Sequence, residues 1–259
     1  MPSCPSPTCI LITGASGGIG AALARLYAAP GMTLILQGRH RARLDQLQSV
    51  CEAQGARVER CVLELEELNA VIERISALAD RYRIDLVIVN AGVTHHIGNA
   101  NAGESWVDIE RVMTINARAA LATVTAVLPA MRQRGAGQIA LISSLSAWYG
   151  VPLTPAYCAS KAALKAYGEA LGGWLAPEGI GVTVVLPGFV ASAMGEQFPG
   201  PRPFLLTADQ AALRMRRGLE RRRARISFPL PLALGMQCLA VFPARWSRWI
   251  LTRLGYAGS

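Results

Sequence analysis

The chain has 259 residues, 52% of them hydrophobic and 17% charged, enough to bury a sizeable core and too apolar for wholesale disorder. Six cysteines (Cys4, Cys9, Cys51, Cys61, Cys158 and Cys238) lie scattered without CxxC spacing or a histidine cluster, which excludes a disulfide framework and a zinc site and points to free thiols in a reducing compartment. The formal net charge of +9 falls wholly in residues 202–259, where eleven arginines face only Asp209 and Glu220, so an anionic partner is to be sought there.

Residues 1–7 carry neither the basic nor the apolar stretch of a secretory leader, and a cytoplasmic protein is expected. Short apolar runs then alternate with longer helical segments. Strands are predicted at 9–13, 32–37, 57–63, 85–90, 138–143 and 181–186, and helices at 18–29, 41–54, 66–82, 106–134 and 156–176. Strands apolar along their whole length suit a parallel sheet buried on both faces. The alternation predicts a single doubly wound α/β sheet of Rossmann type, helices on both faces, with ligands at the carboxyl ends of the strands. The first strand runs into Thr13-Gly14-Ala15-Ser16-Gly17-Gly18-Ile19-Gly20 and a helix follows at once. Glycine lets backbone approach a pyrophosphate, and a helix N-terminus offers free N–H groups to the anion.

Further along, the second strand ends Leu36-Gln37-Gly38-Arg39-His40-Arg41, with two guanidiniums where an NAD site of this fold carries an acid. Arginine suits a ribose 2′-phosphate through charge and fork geometry, which favours NADP(H) over NAD(H), the latter kept as the alternative. His95 and His96 have no acid partner or metal spacing in the sequence and read as loop polar groups. Trp148, Tyr149 and Phe189 read as walls of an apolar pocket or as core. Tyr157 and Lys161, four apart on a helical stretch, share one face. A phenol of pKa about 10 is a poor proton shuttle at neutral pH, and a nearby ammonium lowers it. The chain has 24 Arg and two Lys, Lys161 and Lys165; the choice of lysine at 161 fits a site that needs a compact ammonium, whereas Lys165 reads as a solvated helix residue.

These segments resemble, in order, the motifs of the short-chain dehydrogenase/reductase (SDR) family. Gly14, Gly18 and Gly20 match its TGxxxGxG loop, Asn90-Ala91-Gly92 its NAG turn, Asn116 its helix asparagine, Ser144 its serine thirteen residues before the tyrosine, Tyr157 to Lys161 its YxASK, and Pro187-Gly188 its turn after the sixth strand. The likeness spans about residues 8–192. It implies an oxidoreductase that interconverts a carbonyl and an alcohol by hydride transfer. Ser144 would hold the substrate oxygen against Tyr157, Lys161 would also grip the nicotinamide ribose, and Asn116 would hold a water linking Lys161 to solvent. It extends the cofactor contacts to Ser16, Ile19, Arg39, Glu64, Leu65, Ala91 and Val190. Two departures stand out: the glycine loop has Ser16-Gly17 where NADP-preferring members often add a base, and Glu64 replaces the common Asp.

A seventh strand is predicted at 225–228. The tail, 229–259, departs from the family: an uncharged run, 226–243, is flanked by arginines and by Trp246 and Trp249. An extension of this kind packs on the 8–228 domain and covers the cleft, builds a homo-oligomer (dimer or tetramer), or lies on the inner face of a membrane through 214–259; three prolines argue against a spanning helix. The aromatics cluster with the apolar run, not along a basic groove, so nucleic acid is not expected. Beside the enzyme stand two alternatives, a silent nucleotide-binding regulator and a membrane-surface SDR acting on a lipid-like substrate.

Overall fold

A computed structural model describes residues 7–97 and 103–256; Cys4 and the first six residues of the stretch read for a leader lie outside the described residues. Seven parallel strands, β1 (Cys9–Ile12), β2 (Thr33–Gly38), β3 (Arg57–Val62), β4 (Leu86–Val89), β5 (Gly137–Ile142), β6 (Ile180–Pro187) and β7 (Arg225–Phe228), form one sheet in the order β3-β2-β1-β4-β5-β6-β7. The order reverses between β1 and β4, whose register pairs Ile12 with Ile88. At such a switch point the following loops part and leave a cleft beyond the carboxyl ends.

Side-chain alternation along β1 sorts the core. Ile10 and Ile12 join the cluster under α1 (Gly18–Tyr27), α2 (Arg41–Ala53) and α8 (Ala208–Glu220). Leu11 joins the opposite cluster, under α3 (Leu68–Arg81), α5 (Ala119–Arg134) and α6 (Pro155–Leu175). All three side chains are fully buried, a state that contributes about 1.5–3 kcal/mol each.

Two elements depart from the sequence reading. Strand β3 lies at the sheet edge and exposes Arg57, Arg60 and Val62, because no strand among the described residues covers its outer side. The helix expected at 106–134 is divided into α4 (Trp106–Met113), a π-helical turn at Thr114–Arg118, and α5. That stretch is apolar enough and long enough to cross a membrane, but 67% of its most apolar window is buried inside the protein, as in a core helix.

The uncharged run of the tail forms no continuous helix. It divides into the end of β7 and α9 (Leu230–Val241), and past it the basic α10 (Ala244–Arg253) follows, with Pro229 and Pro243 at the breaks. Ala233, Met236, Leu239, Leu251 and Tyr256 pack with Leu145, Leu153, Val184 and Leu186 in a third apolar cluster at the carboxyl end of the sheet. Short α7 (Ala193–Glu196) lies between β6 and α8.

Candidate active site

The glycine loop is shaped by close contacts that admit no side chain. Gly14 has φ +64°, and a Cβ there would sit 2.7 Å from the Ala91 Cα. A Cβ on Gly20 would lie 2.3 Å from the Gly14 carbonyl oxygen. Thr13 Oγ1 accepts the N–H groups of Asn90 and Ala91 at 3.0 and 3.1 Å, while Asn90 Nδ2 donates to the Thr13 and Gly14 carbonyls. Gln37, which the sequence reading passed over, closes the other side: its Oε1 accepts the Gly14 N–H at 3.0 Å and its Nε2 donates to the Leu63 carbonyl at 2.7 Å. A buried amide joining three elements leaves the loop little freedom. Around Gly17, by contrast, nothing lies within 4 Å of a Cβ position, which leaves open space in front of α1.

Four further side chains converge where β4, β5 and α6 meet. Lys161, buried, donates from Nζ to the Ile142 carbonyl at 2.9 Å and lies 5.6 Å from the centre of the Tyr157 ring. Asn116, on the π-helical turn, accepts the Val93 N–H at 2.7 Å through Oδ1 and donates from Nδ2 to the Val93 carbonyl (2.9 Å) and to Ser160 Oγ (3.0 Å). Its amide hydrogens are committed, and only a remaining Oδ1 lone pair of the side chain is open to a water. Ser160 Oγ donates to the Tyr157 carbonyl at 2.7 Å, which ties Asn116 to the tyrosine's own backbone. At Gly92 a Cβ would meet Asn116 Oδ1 at 3.1 Å and Lys161 Nζ at 3.3 Å. The Ser144 hydroxyl accepts the Ser146 N–H at 3.2 Å and the Ser146 hydroxyl at 3.0 Å. Its neighbour Ser143 turns the other way and donates to the Lys161 carbonyl at 2.7 Å.

Electrostatics at this point differ from the sequence expectation. Burial pushes the Tyr157 phenol up to about 12, and the hydrogen bond from Ser144 opposes that rise. Burial lowers Lys161 to about 8. Desolvation sets the direction of both shifts, and the phenol moves opposite to the lowering by a nearby ammonium that the sequence suggested.

A single cavity of about 1080 Å³ joins these parts. One end is lined by Ser16, Gly18, Ile19, Arg39, Glu64 and Leu65. Arg39, the guanidinium the sequence singled out, lines this mouth, and Arg43 in the first turn of α2 lies there with it, whereas Arg41 does not. Asn90, Ala91, Gly92, Ser144, Tyr157 and Lys161 line the middle, with Pro187, Gly188 and Val190 at the β6 end. Apolar side chains dominate the far end, among them Phe189, Phe198, Met236, Leu239, Phe242 and Leu251. The α9–α10 pair thus roofs this half.

Some expectations are corrected. His95 does have an acid partner, with Nε2 3.6 Å from Asp108 Oδ2, and it stacks on His96; neither lines the cavity. Of the three aromatics only Phe189 walls it, while Trp148 and Tyr149 line a separate small hollow. Lys165 is not a solvated residue: its Nζ pairs with Glu169 at 2.9 Å and lies 4.2 Å from the Trp148 ring centre, whose other flanking cation is Arg225 at 4.8 Å.

The comparisons with known proteins agree with this arrangement. A family model described as short chain dehydrogenase matches residues 8–201. An uncharacterized oxidoreductase of Myxococcus xanthus is 37% identical over 90% of this chain and 92% of its own. Among solved structures, a short-chain dehydrogenase from Sphingobium yanoikuyae in complex with NADPH superposes with a TM-score of 0.78 at 29% identity, covering 95% of this chain and 93% of that one. The bulky-bulky ketone specific alcohol dehydrogenase from Comamonas testosteroni gives 0.77 at 25% identity, over 95% and 92%. The chain belongs to the short-chain dehydrogenase/reductase family and is an oxidoreductase by that membership.

Proposed function

We propose that the protein reduces a bulky, largely apolar ketone or aldehyde with NADPH, and in reverse oxidises the matching alcohol. The observation that carries the reading is the convergence of Ser144, Tyr157 and Lys161 on one cavity, the lysine ammonium 5.6 Å from the centre of the Tyr157 ring, between a glycine-lined half and an apolar half.

The dinucleotide fits the residues present. The space in front of α1, bounded by Gly14, Ser16, Gly17, Gly18 and Ile19, suits a pyrophosphate, with Gly20 packed behind it against Gly14 and Asn90, and Arg39 with Arg43 suits a 2′-phosphate. Glu64 and Leu65 would border the adenine, Asn90, Ala91 and Gly92 the ribose, and Pro187, Gly188 and Val190 the nicotinamide. When bound, the nicotinamide supplies the hydride that becomes the new C–H bond. Tyr157 gives its phenolic proton to the carbonyl oxygen, which Ser144 holds through its hydroxyl. The phenolate left behind is stabilised by the Lys161 ammonium, and Asn116 keeps the start of α6 in place through Ser160. A phenol with a pKa of about 12 is protonated at neutral pH, the state a proton donor needs, which favours reduction.

The far half of the cavity supports the substrate class. Its lining offers apolar and aromatic surface with few polar partners, so a charged or sugar-like substrate would lose hydration without replacement. A bulky ketone is also the substrate named for the Comamonas testosteroni enzyme. The five free cysteines among the described residues support a cytoplasmic setting, and the exposed Trp106 and Val107 support a homo-oligomer. A panel of aryl and branched aliphatic ketones, sugars and acyl thioesters, followed at the NADPH absorbance band, tests the reading. Turnover confined to the bulky ketones is expected; turnover of sugars alone would overturn the substrate class.

A further inference from the structure

The outer side of the tail is unlike a surface meant for water. Between 226 and 243 there is no charged residue, yet Leu230 is 66% exposed and Val241 79%, with Leu234, Cys238 and Phe242 also exposed. A helix that buries one face in a domain ordinarily carries polar groups on the other. Helix α10 is built differently. It buries Ser247 and Leu251 and turns Trp246 (52% exposed) and Trp249 (54%) outward, interleaved with exposed Arg245, Arg248 and Arg253. Arg245 and Arg253 lie over these rings at 5.8 and 5.5 Å from the ring centres. No acid occurs anywhere in 221–259.

We infer that this face of the α9–α10 pair is a docking surface for an anionic lipid bilayer. Indole rings, with an apolar body and one N–H donor, settle at the level of lipid headgroups, and arginines beside them meet the phosphates. Aliphatic residues of α9 enter the acyl boundary, as in helices that lie in the interface plane. Twelve residues span about 18 Å, short of the ~30 Å hydrocarbon layer, so the pair lies on the bilayer and does not cross it. Phe242 and Leu254 are exposed and also line the cavity; the docked face is therefore continuous with the mouth of the apolar half.

A second copy of the chain is the other occupant to weigh, and charge opposes it. Facing two α9–α10 pairs would bring Arg245, Arg248 and Arg253 of each against those of the other, with no acid in 221–259 on either side. An anionic bilayer supplies the complementary charge. This inference goes beyond the proposed chemistry and does not depend on it, since the surface is read from binding and not from turnover.

The test uses the purified full chain with vesicles of phosphatidylcholine alone and of phosphatidylcholine with phosphatidylglycerol. We expect sedimentation with the anionic vesicles, weaker with the neutral ones, release by added salt, and a blue shift of tryptophan emission on binding. Each of Arg245→Gln, Arg248→Gln and Arg253→Gln lowers the partition coefficient by about fivefold. Trp246→Ser with Trp249→Ser abolishes the blue shift and leaves NADPH oxidation with a small water-soluble carbonyl unchanged, because neither ring lines the cavity. Tyr157→Phe, silent in turnover, still binds vesicles. Wild-type protein that stays in the supernatant with anionic vesicles at low salt overturns the inference. So does equal binding to both vesicle types with no effect of the arginine changes, or a dimer that the tryptophan changes dissociate in the absence of any vesicle binding.

Discussion

At Tyr157, burial and the Ser144 hydrogen bond act on one phenol in opposite directions, and burial wins. Tyr157→Phe removes the proton and keeps the ring, so kcat is expected to fall about 10²–10⁴-fold while NADPH binding, followed by its fluorescence, stays near wild type. Lys161 brings a pH signature. Its buried ammonium has a pKa of about 8 against an ordinary 10.5, so kcat/KM for ketone reduction should decline as pH rises through about 8. The same difference acts on stability with a definite sign. Unfolding takes up a proton between about pH 8 and 10.5, so stability from this residue rises with pH across that window and is lost as pH falls through about 8. Urea titrations of wild type and Lys161→Met at pH 7 and pH 10 should therefore show wild type gaining relative to the mutant, by on the order of 3 kcal/mol at most. At the cavity mouth, Arg39→Ala and Arg43→Ala should each weaken NADPH by about one to two decades and leave NADH nearly unchanged. Isothermal titration with both cofactors decides this, and equal losses would remove the 2′-phosphate from the reading.

Elements decide how rigidly these residues are held, and glycine has no substitute where two backbones touch. Gly20→Ala would set a Cβ 2.3 Å from the Gly14 carbonyl, with Asn90 Nδ2 at 2.8 Å on another side. Backbone cannot swing aside as a side-chain tip can, so loss of cofactor binding is expected in fluorescence titration, with about 1–3 kcal/mol of stability. The glycine loop, the parallel sheet and the Tyr157–Lys161 pair were legible in the sequence because each leaves a local trace: glycine spacing, strands without polar alternation, a four-residue helical step. What stayed hidden depends on contacts distant in sequence. Gln37 reads as an ordinary strand residue until its amide is seen joining Gly14 to Leu63. Arg43 looks no different from Arg41 before the direction of α2 is fixed. The π-helical turn at Thr114–Arg118 has no spacing signal, yet it carries Asn116 to Val93 and Ser160. Lys165 likewise gained its meaning only from Trp148 and Glu169. Lys165→Met should loosen the loop after β5 and cost about 0.5–2 kcal/mol, with Lys165→Arg restoring most of it in thermal unfolding.

Over the whole molecule the cavity belongs to two parts of the chain that meet only in the fold. The dinucleotide half is lined from residues before 204, whereas Leu232, Met236, Leu239, Ile250 and Leu251 close the other half from the tail. These tail residues share their apolar cluster with Leu145, Leu153 and Leu186 beneath the catalytic loop. Ending the chain at residue 228 removes both helices, bares that cluster, and frees the Pro201 carbonyl from the Tyr256 hydroxyl that donates to it at 2.9 Å. The sheet keeps all seven strands, since β7 ends at Phe228. The two halves should then respond differently. NADPH affinity, set by the glycine loop, Arg39 and Arg43, is expected to change little. KM for a bulky ketone should rise by at least about tenfold, because two or three lost apolar contacts of 0.8 kcal/mol per buried methylene already amount to that. Binding of a hydrophobic dye such as ANS should increase as the cluster meets water. Cofactor titration, ketone kinetics and dye fluorescence on one truncated preparation make the comparison. An unchanged KM would mean that the tail covers the cleft without touching the substrate, and a parallel loss of NADPH affinity would mean that the roof also holds the dinucleotide loops in place.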